Sequence, residues 1–204
     1  MPGLLEPRIT LWPLKRVLQR RCERVDYFRD RLAFRDLNSS VSRLAEMLRE
    51  GDQERSIGIV THSFGDWIAR QAIACTPDHH VTALVSIAPA MRAGLCLYGA
   101  HLVSRNIIPE VAVIMDPTKA SANIDCDDHV RRLVIWAKAD ECIRSVELDH
   151  IPRIQVQRVL ATHLSVALQP KVLKTIETNL FGNVPVLANG NAKAKNQRSC
   201  ESNA

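Results

Sequence analysis

The chain has 204 residues, of which 46% are hydrophobic and 24% charged, and its formal net charge at pH 7 is +5. This length suffices for one domain with a substantial core, and the composition is that of a globular protein. The basic residues are scattered without interleaved aromatics, and no apolar run approaches the ~18 residues of a membrane span, so we expect neither a nucleic-acid partner nor an integral membrane segment.

The mild positive charge leaves two interpretations of the surface. It would favour contact with an acidic partner or an anionic lipid. A solvated, arginine-rich surface is the simpler interpretation, because no part of the chain is a continuous basic run. Oligomeric state does not follow from the composition.

The cysteines favour a reducing compartment. There are six, and they form no C-x-x-C pair and no zinc-type spacing. Several lie in apolar segments, where cysteine behaves as a small buried hydrophobe. No long apolar region follows the N-terminal basic residues, as a signal peptide would require. We therefore expect a cytoplasmic protein, unless a signal peptide lies upstream of Met1.

The first elements are predicted to be helical with one strand between them. Apolar residues at helical spacing predict a helix over 11–21, and the apolar segment 23–28 predicts a short strand. A second helix is predicted over 37–51, "LNSSVSRLAEMLREG", with Asn38 or Ser39 as its N-cap.

From residue 56 onward, strands and helices alternate, apart from a less regular segment at 91–128. The predicted strands are 56–63, 81–90, 130–140 and 153–160, and the predicted helices include 65–75 and 170–181. This alternation predicts an α/β fold, with a mostly parallel sheet between helices on both faces in three αβα layers. Residues 1–185 are expected to form this domain, and 186–204, rich in Asn, Ala, Lys and Ser, a disordered polar tail.

Three reactive residue types follow three of the predicted strands. Ser63 stands between a strand and a helix with the small residues Thr61 and Gly65 two positions away, as a strained nucleophile elbow requires. Asp140 closes the strand 130–140, and His163 follows the last strand. Each has a simpler interpretation as a turn, cap or loop residue. The order Ser, Asp, His at successive strand ends nevertheless favours a nucleophile, an orienting carboxylate and a general base.

Three stretches resemble the α/β-hydrolases, in particular bacterial lipase- and esterase-like members with "VTHSxGG" elbows. They are "IGIVTHSFGDWIARQAI", "LVIWAKADECI" and "LATHLSVALQPKVLKTIETNLF". The resemblance runs from about residue 2 to residue 181. It implies that Ser63 is the nucleophile, His163 the general base and Asp140 the carboxylate that orients it.

The N-terminal stretch 2–28 is similar to the segment that follows the third strand of that family and supplies one oxyanion-hole amide. By position, the backbone N–H groups of Leu4 and Phe64 would form the oxyanion hole. The implied activity is hydrolysis of carboxylic esters through an acyl-enzyme, without a cofactor or metal. The implied partner is a small-molecule ester or a lipid substrate.

The chain departs from the family pattern at three places. Pro2 stands where the family usually has histidine, and Asp66 replaces the second glycine after the serine, where its charge would oppose an oxyanion. Met1 falls where the family's third strand has just ended. We therefore expect the chain to be N-terminally truncated and to lack the first strands. These departures support an alternative, a catalytically inactive α/β-hydrolase-like protein that binds a small ligand or a protein.

Other candidates have weaker support. Asp116 in "IMDPTK" is a rival for the orienting acid, and His150 is a rival base that precedes its strand. The segment 123–129, "NIDCDDH", is a polar loop rather than a metal site, because its possible ligands mix hard and soft types. His62 is expected to pack at the elbow. The segment 91–128 occupies the family's cap position, and its Leu95 and Leu102 would line an acyl pocket or belong to the core.

Overall fold

The computed structural model describes residues 1–50, 55–104 and 107–182. Its sheet has four parallel strands in the order β1-β2-β3-β4. The strands are β1 (Ile57–His62), β2 (Val81–Ile87), β3 (Arg131–Ala137) and β4 (Ile154–Val159). The helices of the described residues are α1 (Trp12–Leu18), α2 (Leu37–Glu50), α3 (Gly65–Ala74), α4 (Leu95–Ser104), α5 (Pro109–Met115), α6 (Pro117–Ala120) and α7 (Pro170–Phe181). Two 3₁₀ turns, Arg8–Leu11 and Ser165–Leu168, precede α1 and α7.

The sheet separates two apolar cores. Successive side chains of a strand point to opposite faces, so Val85 of β2 packs with α1 and α7, while Leu84 packs with α2 and α3. Leu133 and Val134 of β3 divide between the two cores in the same way. Helices therefore cover both faces of a parallel sheet, and the predicted three-layer α/β architecture is confirmed.

The strand predicted over 23–28 is wrong. This segment has no ladder partner among the described residues. Phe28 is buried in the core beneath α2, whereas Val25 and Tyr27 pack against the opposite core. The alternating apolar residues are thus satisfied by contacts with two layers, and the backbone needs no neighbouring strand.

The N-cap of α2 and the starts of α5 and α6 differ from the sequence predictions, and an aspartate or a proline sets each of them. The Asp36 carboxylate accepts the Ser39 N–H at 3.2 Å, so Asp36, rather than Asn38 or Ser39, caps α2. Pro109 and Pro117 stand in the first turns of α5 and α6, inside the segment expected to be irregular.

The carboxyl end of β1 carries the N-terminal loop. In the described part of the chain, β1 is an edge strand, and the His62 N–H donates to the Met1 carbonyl at 2.9 Å. Residues 1–6 therefore lie at the carboxyl edge of the sheet. The expected tail at 186–204 lies outside the described residues. Within those residues, every helix is too short or too polar to cross a bilayer.

Candidate active site

Ser63 occupies a strained turn between β1 and α3. Its φ is 53°, in the left-handed region that a non-glycine residue seldom adopts, at a cost on the order of 1–3 kcal/mol. The Ser63 N–H donates to the Ile87 carbonyl at 2.9 Å, and its own carbonyl accepts N–H bonds from Asp66 and Ala90. These bonds hold the turn in place. A serine held in this way at the end of a strand has the geometry of a nucleophile elbow.

Asp140 and His163 are in direct contact. Asp140 Oδ1 accepts the N–H groups of Cys142 and Ile143 at 2.9 and 2.7 Å, and Oδ2 lies 2.8 Å from His163 Nδ1. A carboxylate can only accept, so Nδ1 carries the proton and Nε2 is left as a proton acceptor. Two loops at the carboxyl edge of the sheet thereby supply an acid–base pair.

The structure places His163 beside the elbow without a direct bond to Ser63. The rings of His62 and His163 have their centroids 4.9 Å apart. Among the hydrogen bonds of the described residues, none joins Ser63 Oγ to His163. Such bonds are often long in unliganded sites and shorten when substrate binds, so the arrangement is compatible with nucleophile activation.

Two backbone amides near Ser63 donate no hydrogen bond to any of the described residues. Across the ranges that the structure describes, neither the Leu4 N–H nor the Phe64 N–H donates a hydrogen bond. Phe64 is fully buried, and Leu4 is half-buried. Buried amides without partners are rare, and a ligand oxygen is one way to satisfy them. These are the two amides that the resemblance implies for an oxyanion hole.

Gly3 fixes the loop that carries Leu4. A Cβ on Gly3 would lie 2.6 Å from Ser63 Cβ, closer than real Cβ contacts allow. The Gly3 N–H donates to Glu6 Oε2 at 2.6 Å, and the Gly3 carbonyl accepts from Arg35 Nη2 at 2.7 Å. The Arg35 N–H in turn donates to the buried Glu110 of α5 at 3.2 Å. The loop is therefore held from both sides against the elbow.

Glu6 and His62 connect this loop to the histidine loop. His62 Nδ1 lies 2.7 Å from Glu6 Oε2, and His62 Nε2 lies 2.9 Å from the His163 carbonyl oxygen. A carbonyl only accepts, so Nε2 carries a proton. Burial raises the pKa of the Glu6 carboxyl. The hydrogen bond and the electrostatic interaction with His62, and the hydrogen bonds from Gly3 and Thr10, outweigh burial and lower this pKa to about 2. Glu6 is thus ionised, and its Oε2 lies against both the Gly3 amide and the His62 ring.

Sequence reasoning found His62 only as a packing residue and did not find Glu6 or Arg35. Glu6 and His62 are 56 residues apart, and Arg35 is 32 residues from Gly3. The one available signal was an acidic residue in an apolar N-terminal loop. That signal does not identify its partner.

Asp66 does not act as the isolated negative charge that its position suggested. It is fully buried, with Oδ2 2.7 Å from Arg70 Nε and Oδ1 3.1 Å from Arg132 Nη2. The Ser86 hydroxyl donates to Oδ1 at 2.5 Å. Burial raises the pKa of Asp66, but Arg70 and Arg132 lower it more, so the carboxyl stays ionised. Two guanidinium groups balance its charge, which removes the expected conflict with an oxyanion.

The rival residues have structural roles or lie in solvent. Asp116 accepts the N–H groups of Thr118 and Lys119 and caps α6, and His150 is exposed. Asp125 and Asp128 of the polar loop pair with Arg153. No group of three His, Cys, Asp or Glu side chains suited to a metal ion occurs in the described part of the chain. Leu95 and Leu102 on α4 are exposed and line no core.

Comparisons with known proteins support the fold. No protein-family model and no curated protein matches the chain. Among solved structures, a pyrethroid hydrolase is similar at a TM-score of 0.60 and 14% identity, over 92% of this chain and 97% of that chain. A metagenome-derived lipolytic enzyme has a TM-score of 0.59 and 13% identity, over 88% and 89%. A methylesterase from Arabidopsis has a TM-score of 0.54 and 14% identity, over 88% and 95%.

These similarities confirm the predicted fold. The chain has the α/β-hydrolase fold, with its four described parallel strands and the helices on both faces. Identities of 13–14% carry the comparison no further than the architecture. The chemistry of the site has to be argued from its own residues.

Proposed function

We propose that the protein is a serine hydrolase that cleaves carboxylic esters, with Ser63 as nucleophile, His163 as general base and Asp140 as the orienting carboxylate. The observation that carries the proposal is the 2.8 Å contact between Asp140 and His163, beside a serine held at φ 53°. The solved structures similar to this chain include hydrolases and esterases, which agrees with this chemistry.

The geometry suggests the following sequence of proton transfers. His163 Nε2 takes the proton from Ser63 Oγ as the oxygen attacks the ester carbonyl, and Asp140 stabilises the resulting imidazolium. The N–H groups of Leu4 and Phe64 donate to the oxyanion, each contributing a factor on the order of 10²–10³ in rate. His163 then protonates the leaving alcohol. Water, deprotonated by the same nitrogen, hydrolyses the acyl-enzyme.

This mechanism uses only side chains and backbone amides, so the proposal includes no cofactor and no metal. The proposed substrates are small-molecule esters or lipids.

The test is covalent labelling with a fluorophosphonate probe. We expect the wild type to be labelled at Ser63 and the Ser63→Ala and His163→Ala variants to lose labelling, because the first lacks the nucleophile and the second its base. Ser145→Ala, which removes an exposed hydroxyl, is the matched control and should be labelled normally. If the folded wild type is not labelled, the esterase proposal is wrong, and the alternative of an inactive binding protein is favoured.

A further inference from the structure

An apolar groove lies open at the surface between two short elements. Its lining residues are Ile9, Thr10, Trp12 and Pro13 on one side and Leu168 on the other, and its volume is about 460 Å³. The side chains of Ile9, Trp12 and Leu168 are 77%, 50% and 47% exposed. We call these residues the Trp12 groove. Large apolar side chains that cluster on a surface are typical of interaction sites.

The Trp12 groove adjoins the candidate active site. The Thr10 hydroxyl donates to Glu6 Oε1 at 2.6 Å, and Glu6 contacts both Gly3 and His62. On the opposite wall, Leu168 ends the 3₁₀ turn that begins two residues after His163. A surface bound at the groove would therefore face the same edge of the molecule as Ser63.

The segment 7–22, which includes α1 and one side of the groove, is strongly basic. Residues 7–22 contain Arg8, Lys15, Arg16, Arg20 and Arg21 and no Asp or Glu. Arg21 lies 3.3 Å from Glu177. The other four have no ion pair with any residue in the described ranges, so their charge is available to an external anion.

The positive charge of Arg16 lies next to the aromatic ring of Trp12. Its guanidinium lies 4.4 Å from the centroid of the Trp12 ring, one helical turn away. A tryptophan flanked by aliphatic and basic side chains has the composition of a segment that lies in the headgroup region of a membrane. Aromatic and aliphatic side chains enter the interface, while the cations meet anionic headgroups.

We propose that the Trp12 groove and the basic side chains of the segment 7–22 dock the protein on an anionic lipid surface. Ile9, Trp12 and Leu168 lie in the headgroup layer, and Arg16 and Arg20 contact acidic headgroups. The cytoplasmic leaflet of cellular membranes carries such a negative surface. The docking is independent of the proposed esterase activity, although it would hold the candidate site against the lipid.

The experiment uses vesicles of phosphatidylcholine with and without phosphatidylglycerol. Trp67 and Trp136 are buried, so a blue shift of tryptophan fluorescence on vesicle addition reports the transfer of Trp12 into the interface. We expect co-sedimentation and a blue shift with the anionic vesicles only, and a loss of binding as salt screens the charges. Equal binding to both vesicle types, or no binding to the anionic ones, overturns the proposal.

Variants separate the groove from general surface hydrophobicity. Ile9→Ser with Leu168→Ser should lower the vesicle partition coefficient at least about tenfold, since both apolar side chains leave the interface. Arg16→Glu with Arg20→Glu should lower it by at least as much. The matched control is Leu102→Ser with Val103→Ser. Both side chains are exposed aliphatic residues of α4, and this helix contains no Lys or Arg.

The control variant should bind as the wild type does. An equal loss of binding in the control variant and the groove variant would show that the effect is not specific to the groove and would overturn the proposal. The thermal unfolding midpoint of each variant is measured alongside, because all the substituted side chains are exposed and should leave the fold intact. Vesicle binding is scored without reference to fluorophosphonate labelling, so this proposal and the esterase proposal can fail separately.

Discussion

His62 joins the two loops of the candidate site through its two ring nitrogens, one on Glu6 and the other on the backbone of His163. It touches the main chain of the proposed base rather than its ring nitrogens, so it is a positioning residue. Asp140 orients the imidazole of His163 from the other side. The proposed base is thus held at both its main chain and its side chain. A group that exchanges protons with a substrate needs such support to keep a fixed orientation.

Gly3 offers a residue-scale test of the oxyanion hole. In Gly3→Ala the new Cβ would stand 2.6 Å from Ser63 Cβ, so the loop has to move and the Leu4 N–H moves with it. We expect the rate of fluorophosphonate labelling to fall by about 10²-fold or more, the cost of losing one oxyanion donor. The measurement is the second-order rate constant of labelling.

Gly99→Ala is the control for that substitution. A Cβ at Gly99, on α4, meets nothing within 4 Å. This variant should be labelled at the wild-type rate and be slightly more stable, because alanine favours a helix over glycine by about 1 kcal/mol. Equal labelling of Gly3→Ala and Gly99→Ala would contradict the assigned role of the N-terminal loop.

At the scale of elements, α3 is joined to the sheet by a buried charge network. Asp66 in the first turn of α3 binds Arg70 of the same helix, Arg132 of β3 and Ser86 of β2. Arg70 Nη2 also donates to the Ala120 carbonyl, at the end of α6. The helix that follows Ser63 is therefore anchored to two strands and to α6.

Breaking this network should destabilise the fold strongly. Asp66→Ala leaves two buried guanidinium groups without their shared carboxylate, which typically costs about 3–5 kcal/mol. We expect that loss in the free energy of unfolding measured by urea denaturation. Asp149→Ala, which removes the carboxylate from an exposed pair with Arg158, is the control and should change stability little. A small effect at Asp66 would show that the network is not a structural anchor.

At the scale of the whole molecule, the fold was predictable because local periodicity reports burial. The strands ending near Ser63 and Asp140 are mostly buried, whereas the strand ending near His163 is buried only at its two ends. Their parallel order brings three distant loops to one edge. The same logic failed at 23–28, where alternating apolar residues pack against two layers without pairing. Periodicity indicates which side chains are buried, but not whether a neighbouring strand is present.

The polar contacts of the site were not predictable on the same grounds. The partners of Glu6, Arg35 and Asp66 lie on elements far away in sequence, and a buried charge is recognisable only when its counterion is placed. Asp66 shows the difficulty most clearly. Its position suggested repulsion near the nucleophile, whereas Arg132, 66 residues later, neutralises it.

The pH dependence of stability tests the ionised state of Glu6. Its pKa in the folded protein is about 2, below its ordinary value of 4.5, so the charged carboxyl stabilises the fold. This contribution, about 3 kcal/mol, is complete above about pH 4.5 and is lost as the pH falls from there toward 2. In Glu6→Gln we expect lower stability at pH 7 and a smaller further decline on acidification, measured by urea unfolding between pH 7 and pH 2.5.

Glu46→Gln is the control for the pH series, because Glu46 is exposed on α2. Its stability should follow that of the wild type at every pH. A Glu6→Gln variant with the same acid decline as the wild type would show that Glu6 does not carry the stabilising charge.

The contacts of Arg35 with both Gly3 and Glu110 link the N-terminal loop mechanically to α5. A displacement of α5 that admits a bulky ligand would pull on Arg35 and thus on the Gly3 carbonyl. The reverse also holds, since a ligand oxygen bound at the Leu4 amide would stiffen the loop and, through Arg35, α5. The position of α5 and the position of the Leu4 amide are therefore coupled through Arg35, which contacts Glu110 with its backbone N–H and binds Gly3 with its buried guanidinium group.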